Sequence, residues 1–214
     1  MKILIDNGHG VNTAGKCSPD KTLREYAYVR EIAECVVKEL KAQGYDAERI
    51  VTEQTDISLG ERCRRVNNIC SKVGTKNVLL VSIHVNAAAS GGKWMTAGGW
   101  AAYTSRGTTK ADALATKLYE AAKVELQGYA EAMERGKKSG AYGSVQKPYR
   151  TDYADGDPDH EAGFYILVHT NCPAVLTENL FQDNKADVAY LLSEEGKAAI
   201  TRLHVNGIIN YIKG

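Results

Sequence analysis

Two histidines in this chain stand where an apolar strand breaks off. In Lys2-Ile3-Leu4-Ile5-Asp6-Asn7-Gly8-His9-Gly10, His9 follows a buried-type run and sits between two glycines. In Val78-Leu79-Leu80-Val81-Ser82-Ile83-His84-Val85-Asn86, His84 closes a second apolar run just before a small, polar stretch. Open α/β folds present ligands at the carboxyl ends of their strands. A lone histidine in such a place is ordinarily a hydrogen-bonded structural residue. Two in the same setting point to a metal, because neutral imidazole is the commonest nitrogen ligand of zinc.

A catalytic zinc takes three protein ligands and keeps a fourth position open. Two candidates can supply the third. Glu25 lies at the start of the first helix, although Thr22-x-x-Glu25 also has the form of a capping box, which local sequence favours. His169 ends the run Phe164-Tyr165-Ile166-Leu167-Val168 and is the alternative. His160 falls in a loop from which it could reach a substrate, and His204 falls within the last helix in a packing or surface role. Hydrolysis also needs a base for the attacking water. Glu178 has the position for one, at the end of the apolar run Ala174-Val175-Leu176. A carboxylate there is costly unless a cation or hydrogen bonds compensate it.

The elements that must carry these groups follow from periodicity. Apolar residues at helical spacing run from Leu23 to Leu40 and stop at Gly44, and a strand is expected over 47–52. Ser58-Leu59-Gly60-Glu61 reads as a capping box opening a helix with Cys63, Val66, Ile69 and Cys70 on its apolar side. The strand ending at His84 follows, then a strand over 98–104, a long helix over 109–126, short strands over 164–168 and 174–178, and a closing helix over 194–212. Strands alternating with helices predict a single three-layer α/β/α domain over 1–214, with a largely parallel central sheet. Between Gly128 and Gly163, glycine, charge and tyrosine dominate, and this stretch is expected to be a long loop or insertion at the rim of a substrate groove.

Bulk properties narrow the partners. Of 214 residues, 27 are basic and 26 acidic, a net charge of +1, which argues against nucleic acid or an anionic membrane as the main partner. No run approaches the roughly 20 apolar residues of a membrane span. Ile3-Leu4-Ile5 ends in Asp6, too short for a signal peptide, so the chain is expected to be made in the cytoplasm without its own export signal. The 5 cysteines are odd in number and form no CxxC pair, so neither a disulfide framework nor a cysteine zinc site is expected, and Cys172 is a minor nucleophile candidate. Nothing in the pattern signals an oligomer, and a monomer is expected.

Taken in order, Ile5-Asp6-Asn7-Gly8-His9-Gly10, Glu25, Ser82-Ile83-His84-Val85-Asn86-Ala87 and Pro173-Ala174-Val175-Leu176-Thr177-Glu178-Asn179-Leu180-Phe181 resemble the zinc-dependent N-acetylmuramoyl-L-alanine amidases of bacterial cell-wall lysis. The resemblance runs over nearly the whole chain. It implies His9, Glu25 and His84 as zinc ligands and Glu178 as general base, with Asn86 placed to support the site or touch substrate. It also implies peptidoglycan or a muropeptide as substrate, cut between N-acetylmuramic acid and L-alanine. A catalytic domain without an export signal is similar to a phage or prophage endolysin, which reaches the wall through a separate pore. Thr52-Glu53-Gln54-Thr55-Asp56 departs from the family, which usually has Thr-Arg before the aspartate. The alternatives are a zinc hydrolase of another amide, such as a deacetylase or peptidase, and a wall-binding module without catalysis.

Overall fold

The computed structural model describes residues 1–89 and 92–214. The opening run forms β1 (Lys2–Asn7), and its period-2 alternation decides both faces of the sheet. Ile3 and Ile5 point into one apolar layer and Leu4 into the other. α1 (Glu25–Ala42) follows, amphipathic with Val29, Ile32, Ala33, Val36 and Leu40 buried, and is ended at Gly44, whose φ of 85° suits a residue without Cβ. The chain then passes through β2 (Asp46–Arg49), α2 (Leu59–Val73) and the nine-residue β3 (Val78–Asn86).

The second half holds β4 (Ala101–Thr104), α3 (Lys110–Glu125), α4 (Gln127–Lys138), the short β5 (His160–Glu161), the single-turn α5 (Tyr165–Val168), β6 (Ala174–Phe181), α6 (Lys185–Leu192) and α7 (Glu194–Lys213). The six strands form one sheet in the order β2-β1-β3-β6-β4-β5. Pairing is parallel except between β4 and β6, so the expected three-layer α/β/α domain with a largely parallel sheet is what forms. One face packs Leu79, Val81, Ile83 and Val175 against α1, α3 and α7, and the other packs Leu80 and Leu176 against Cys63, Val66 and Cys70 of α2 and Ile166 and Leu167 of α5. Among the described residues no helix is long and apolar enough to cross a membrane.

Two expectations are corrected and one helix is added. The 128–163 stretch is not structureless: α4 occupies its first part, with Tyr129 and Met133 buried four residues apart on one face. The Tyr129 hydroxyl accepts from the Gly99 N–H and donates to Asp187, which fixes α4 to the core. The run over 164–168 is one helical turn instead of a strand, because a short apolar run has no periodicity to separate the two forms and here no neighbouring strand pairs with it. Helix α6 was unforeseen, although Asn184 caps it by accepting from the N–H groups of Ala186 and Asp187.

Candidate metal and catalytic centre

The centre is assembled by one sheet face. Asp6 on β1, Ser82 and His84 on β3, and Leu176 and Glu178 on β6 all belong to the side covered by α2 and α5, toward the carboxyl ends of their strands. His84 and Glu178 are register partners across β3 and β6. Immediately beyond them β6 bulges, with three of its residues spanning two of β3 and Leu180 in the left-handed region at φ 61°. His9 follows the end of β1 and is likewise left-handed, at φ 60°.

Glu25, the first residue of α1, is buried, with only 1 % of its side chain exposed. Its Oε1 lies 3.2 Å from His84 Nδ1 and 3.5 Å from His9 Nε2, and it accepts from the Val85 N–H at 3.0 Å. Its Oε2 has no hydrogen-bond partner. The capping-box reading of Glu25 is therefore overturned: Arg24 is the N-cap and makes no side-chain cap bond, and Thr22 turns to Asp20 instead. His9 and His84 meet edge to face with ring centroids 5.1 Å apart. The ligand atoms of His9, Glu25 and His84 all lie within 4.8 Å of one another.

Charges follow from burial and neighbours. Burial pushes His9 down to about 4, leaving it neutral. For His84 burial is outweighed by the Glu25 hydrogen bond and charge, so its pKa rises. The same pairing outweighs burial at Glu25 and holds its carboxyl below the usual range. Burial raises Glu178 to about 7, opposed by the charge of His84 and reinforced by that of Glu25. Glu178 Oε2 is buried without a hydrogen-bond partner.

Two arginines that the sequence reading passed over hold the His9 turn. Arg62 of α2, with 2 % of its side chain exposed, pairs with the buried Asp6 carboxylate and with Asp56, and donates to the carbonyls of Asn7 and His9. Arg30 of α1 donates to the carbonyls of His9, Gly8 and Glu53. Asp6 also accepts from Ser82. The available signal was Asp6 itself, a carboxylate inside a buried strand that needs a cation. Asp56, in the segment that departs from the family, receives Arg62 and the Thr13 hydroxyl. Gly8 is needed for close approach, since a Cβ there would fall 2.5 Å from His84 Nδ1.

The other imidazoles are elsewhere. His169 is exposed and stacks on Tyr165 at 3.9 Å, with Nδ1 toward the Tyr165 carbonyl, so it is not brought to Glu25. His160 stacks on Tyr103 at 5.1 Å, with Nε2 toward the Arg150 carbonyl. His204 is wholly buried between Thr177 Oγ1 and the Ile200 carbonyl. Cys172 is packed into the α2-side core, where burial raises its thiol pKa far above neutrality and leaves no thiolate to attack. Asn86 Oδ1 accepts from the Ala87 N–H.

His9, His84 and Glu178 open on a groove of about 620 Å³. Lys16, Asp56 and Arg62 give it a polar side, while Ile57, Leu59, Phe164, Tyr165 and Leu176 give it an apolar one. The 128–163 segment supplies none of the residues lining this groove; one side comes from Phe164, Tyr165 and Ile166 just after it, and another from Asp56 to Leu59.

Comparison with known proteins gives the family and the fold. Residues 3–210 match the N-acetylmuramoyl-L-alanine amidase family. An endolysin of Bacillus phage SPP1 is 26 % identical over 211 residues, which are 96 % of this chain and 64 % of the endolysin, so the chain spans less than two thirds of that relative. The fold is similar to an N-acetylmuramoyl-L-alanine amidase from Clostridium difficile 630, with TM-score 0.74, 24 % identity, and coverage of 100 % of this chain and 97 % of the other. It is also similar to the catalytic domain of the amidase CwlV from Bacillus (Paenibacillus) polymyxa var. colistinus, with TM-score 0.73, 19 % identity and coverage of 100 % and 99 %. With a family match across almost its whole length, the chain belongs to the N-acetylmuramoyl-L-alanine amidase family.

Proposed function

We propose that this chain hydrolyses the amide between N-acetylmuramic acid and L-alanine in peptidoglycan, with zinc held by His9, Glu25 and His84 and with Glu178 as general base. The observation that carries the reading is the convergence of two imidazoles and one carboxylate, all within 4.8 Å, beside a second carboxylate, with an unpartnered oxygen, on the neighbouring strand.

The residues fit such an ion. Two nitrogens and one oxygen are a donor set of the catalytic zinc type, and the buried, unpartnered Glu25 Oε2 is a polar atom that a cation would satisfy. Zinc bound there supplies Lewis-acid polarisation of the substrate carbonyl and activation of water at neutral pH. Glu178 takes the proton of the attacking water and returns it to the leaving alanine nitrogen. Arg62 and Arg30, gripping the His9 carbonyl, hold the His9 turn while this happens. The groove takes the glycan and stem peptide on either side of the scissile amide. By analogy with its phage relative, an endolysin, the chain serves wall lysis and acts on the wall once a pore or lysis delivers it.

Digestion of purified peptidoglycan tests the reading. New N-terminal alanine is expected, with one zinc per chain lost from His9→Ala, Glu25→Ala and His84→Ala and retained in His169→Ala. Released acetate, or new internal peptide amines without N-terminal alanine, assigns the chemistry to a deacetylase or peptidase instead. Binding to walls with no cleavage identifies a wall-binding module.

A further inference from the structure

A second group of acidic side chains lies outside this centre. Asp112, in the first turn of α3, and Asp157 and Asp159, in the loop leading into β5, present carboxylate oxygens that all lie within 4.8 Å of one another. Among the described residues no lysine, arginine or histidine pairs with any of the three within 4.0 Å. Three like charges gathered in a partly buried place repel one another strongly unless something neutralises them.

The observation that points to a ligand is Asp159. It is only 2 % exposed, and its Oδ1 is buried with no hydrogen-bond partner. Its other oxygen accepts from the Thr104 hydroxyl at 2.6 Å, which fixes the carboxyl and leaves Oδ1 unpartnered. Asp112 is fixed by the Thr109 N–H and hydroxyl, and Asp157 Oδ1 accepts from the Asp159 N–H. Burial, with Asp157 and Asp112 close by, raises the Asp159 carboxyl to about 8, so without a cation it keeps a proton at neutral pH.

The donors are all hard oxygens, which suit calcium or magnesium and not zinc. Calcium, bonding at about 2.3–2.6 Å in flexible geometry, tolerates an irregular set like this one better than magnesium, which demands a near-ideal octahedron. We propose that Asp112, Asp157 and Asp159 form a calcium site that ties the start of α3 to the loop carrying β5. The bound ion fixes the His160–Glu161 strand against Tyr103 and Thr104 of β4, the strand whose Ala101 is the register partner of Glu178. It thus braces the sheet edge beside the amidase centre without entering it.

The test is calorimetric titration of the whole chain with calcium chloride, read together with its thermal unfolding. One saturable calcium per chain is expected, with a Kd at or below the 10⁻⁴–10⁻³ M range on the order of which extracellular calcium modules work. Unfolding should shift upward by a few degrees at about 10 mM calcium. Asp159→Asn and Asp157→Asn should each weaken binding on the order of tenfold or more, whereas His84→Ala should leave it intact, separating this site from the His9-Glu25-His84 centre. Asp157 is partly exposed, so Asp157→Asn reports on the site even where Asp159→Asn fails to fold. No saturable binding up to about 10 mM, or binding undiminished in Asp157→Asn, overturns the proposal and leaves Asp157 and Asp159 as a carboxyl pair sharing a proton.

Discussion

His84 and Glu178 are register partners on the two central parallel strands, and their side chains rise from the same sheet face. Adjacent strands lie about 4.8 Å apart, so this pairing sets a carboxylate beside an imidazole without help from any loop. Glu25 approaches the same imidazole from α1, on the His9 side. The two glutamates are thereby separated in role: Glu25 is bonded to the histidine pair, and Glu178 faces the groove with an oxygen left unpartnered.

Glu178→Gln keeps the shape of the side chain and removes its capacity to take a proton. Zinc content and thermal unfolding should stay near wild type, while release of N-terminal alanine from peptidoglycan should fall by about 10²-fold or more, the contribution of a positioned acid/base group. Turnover within a few-fold of wild type would return Glu178 to a structural role.

Much of this arrangement was legible in the sequence because its carriers are buried strands. The apolar runs ending near His9, His84 and Glu178 placed all three at one end of the sheet, and the sheet forms as expected. Glu25 was ambiguous locally, since Thr22-x-x-Glu25 fits a cap as well as a ligand; the family resemblance implied the ligand role, and the approach of α1 to β3 brings its carboxylate to both histidines. Arg62 and Arg30 were invisible for a related reason: each acts through backbone carbonyls and carboxylates distant in sequence, which leave no periodic trace. Helix α4 was hidden by Gly128 and Gly136, which lower helix propensity. The close approach of the Tyr142 ring to Gly136 accounts for the second of them, since a Cβ there would lie 2.7 Å from the ring.

Gly8→Ala tests the closeness of β1 to the His84 ring. The added Cβ would fall 2.5 Å from Nδ1, the atom facing Glu25, and 2.7 Å from Nε2, so the imidazole must move. Gly8 is not in the left-handed region, so the substitution brings no backbone penalty. Zinc affinity should drop on the order of tenfold or more, the scale seen when support of a ligand is lost, with the fold retained. Gly163→Ala, where an added Cβ meets nothing within 4 Å, is the control and should bind zinc normally.

Arg62→Met addresses the cation under the His9 turn. It strips the buried Asp6 carboxylate of its partner and leaves the Asn7 and Ile57 carbonyls without their donor. Breaking a buried pair from one side costs about 3–5 kcal/mol, mostly through the charge left behind. Chemical denaturation should show a loss of that order. The double variant Arg62→Met/Asp6→Asn should recover part of it, and a double variant as unstable as the single one would mean that Asp6 is not the source of the cost.

His204 makes stability depend on pH from behind the centre. It is wholly buried, with Nδ1 at 2.7 Å from the Ile200 carbonyl and Nε2 at 2.9 Å from Thr177 Oγ1, next to Glu178 in sequence. The carbonyl can only accept, so Nδ1 carries the proton and Nε2 accepts from the Thr177 hydroxyl. Burial lowers this imidazole to about 4, from the ordinary 6.5 that it regains on unfolding. Between those values the unfolded chain binds a proton that the folded chain refuses, so stability falls as pH drops from 6.5 toward 4 and the effect levels off below. Its full size is on the order of a few kcal/mol, at about 1.4 kcal/mol per pKa unit. Denaturation of wild type and His204→Gln across this range isolates the contribution, because the other titrating groups are common to both. The stability advantage of wild type over His204→Gln should shrink steadily with falling pH. A difference that stays constant would show that the folded chain binds this proton as readily as the unfolded one, contrary to the lowering that burial imposes on His204.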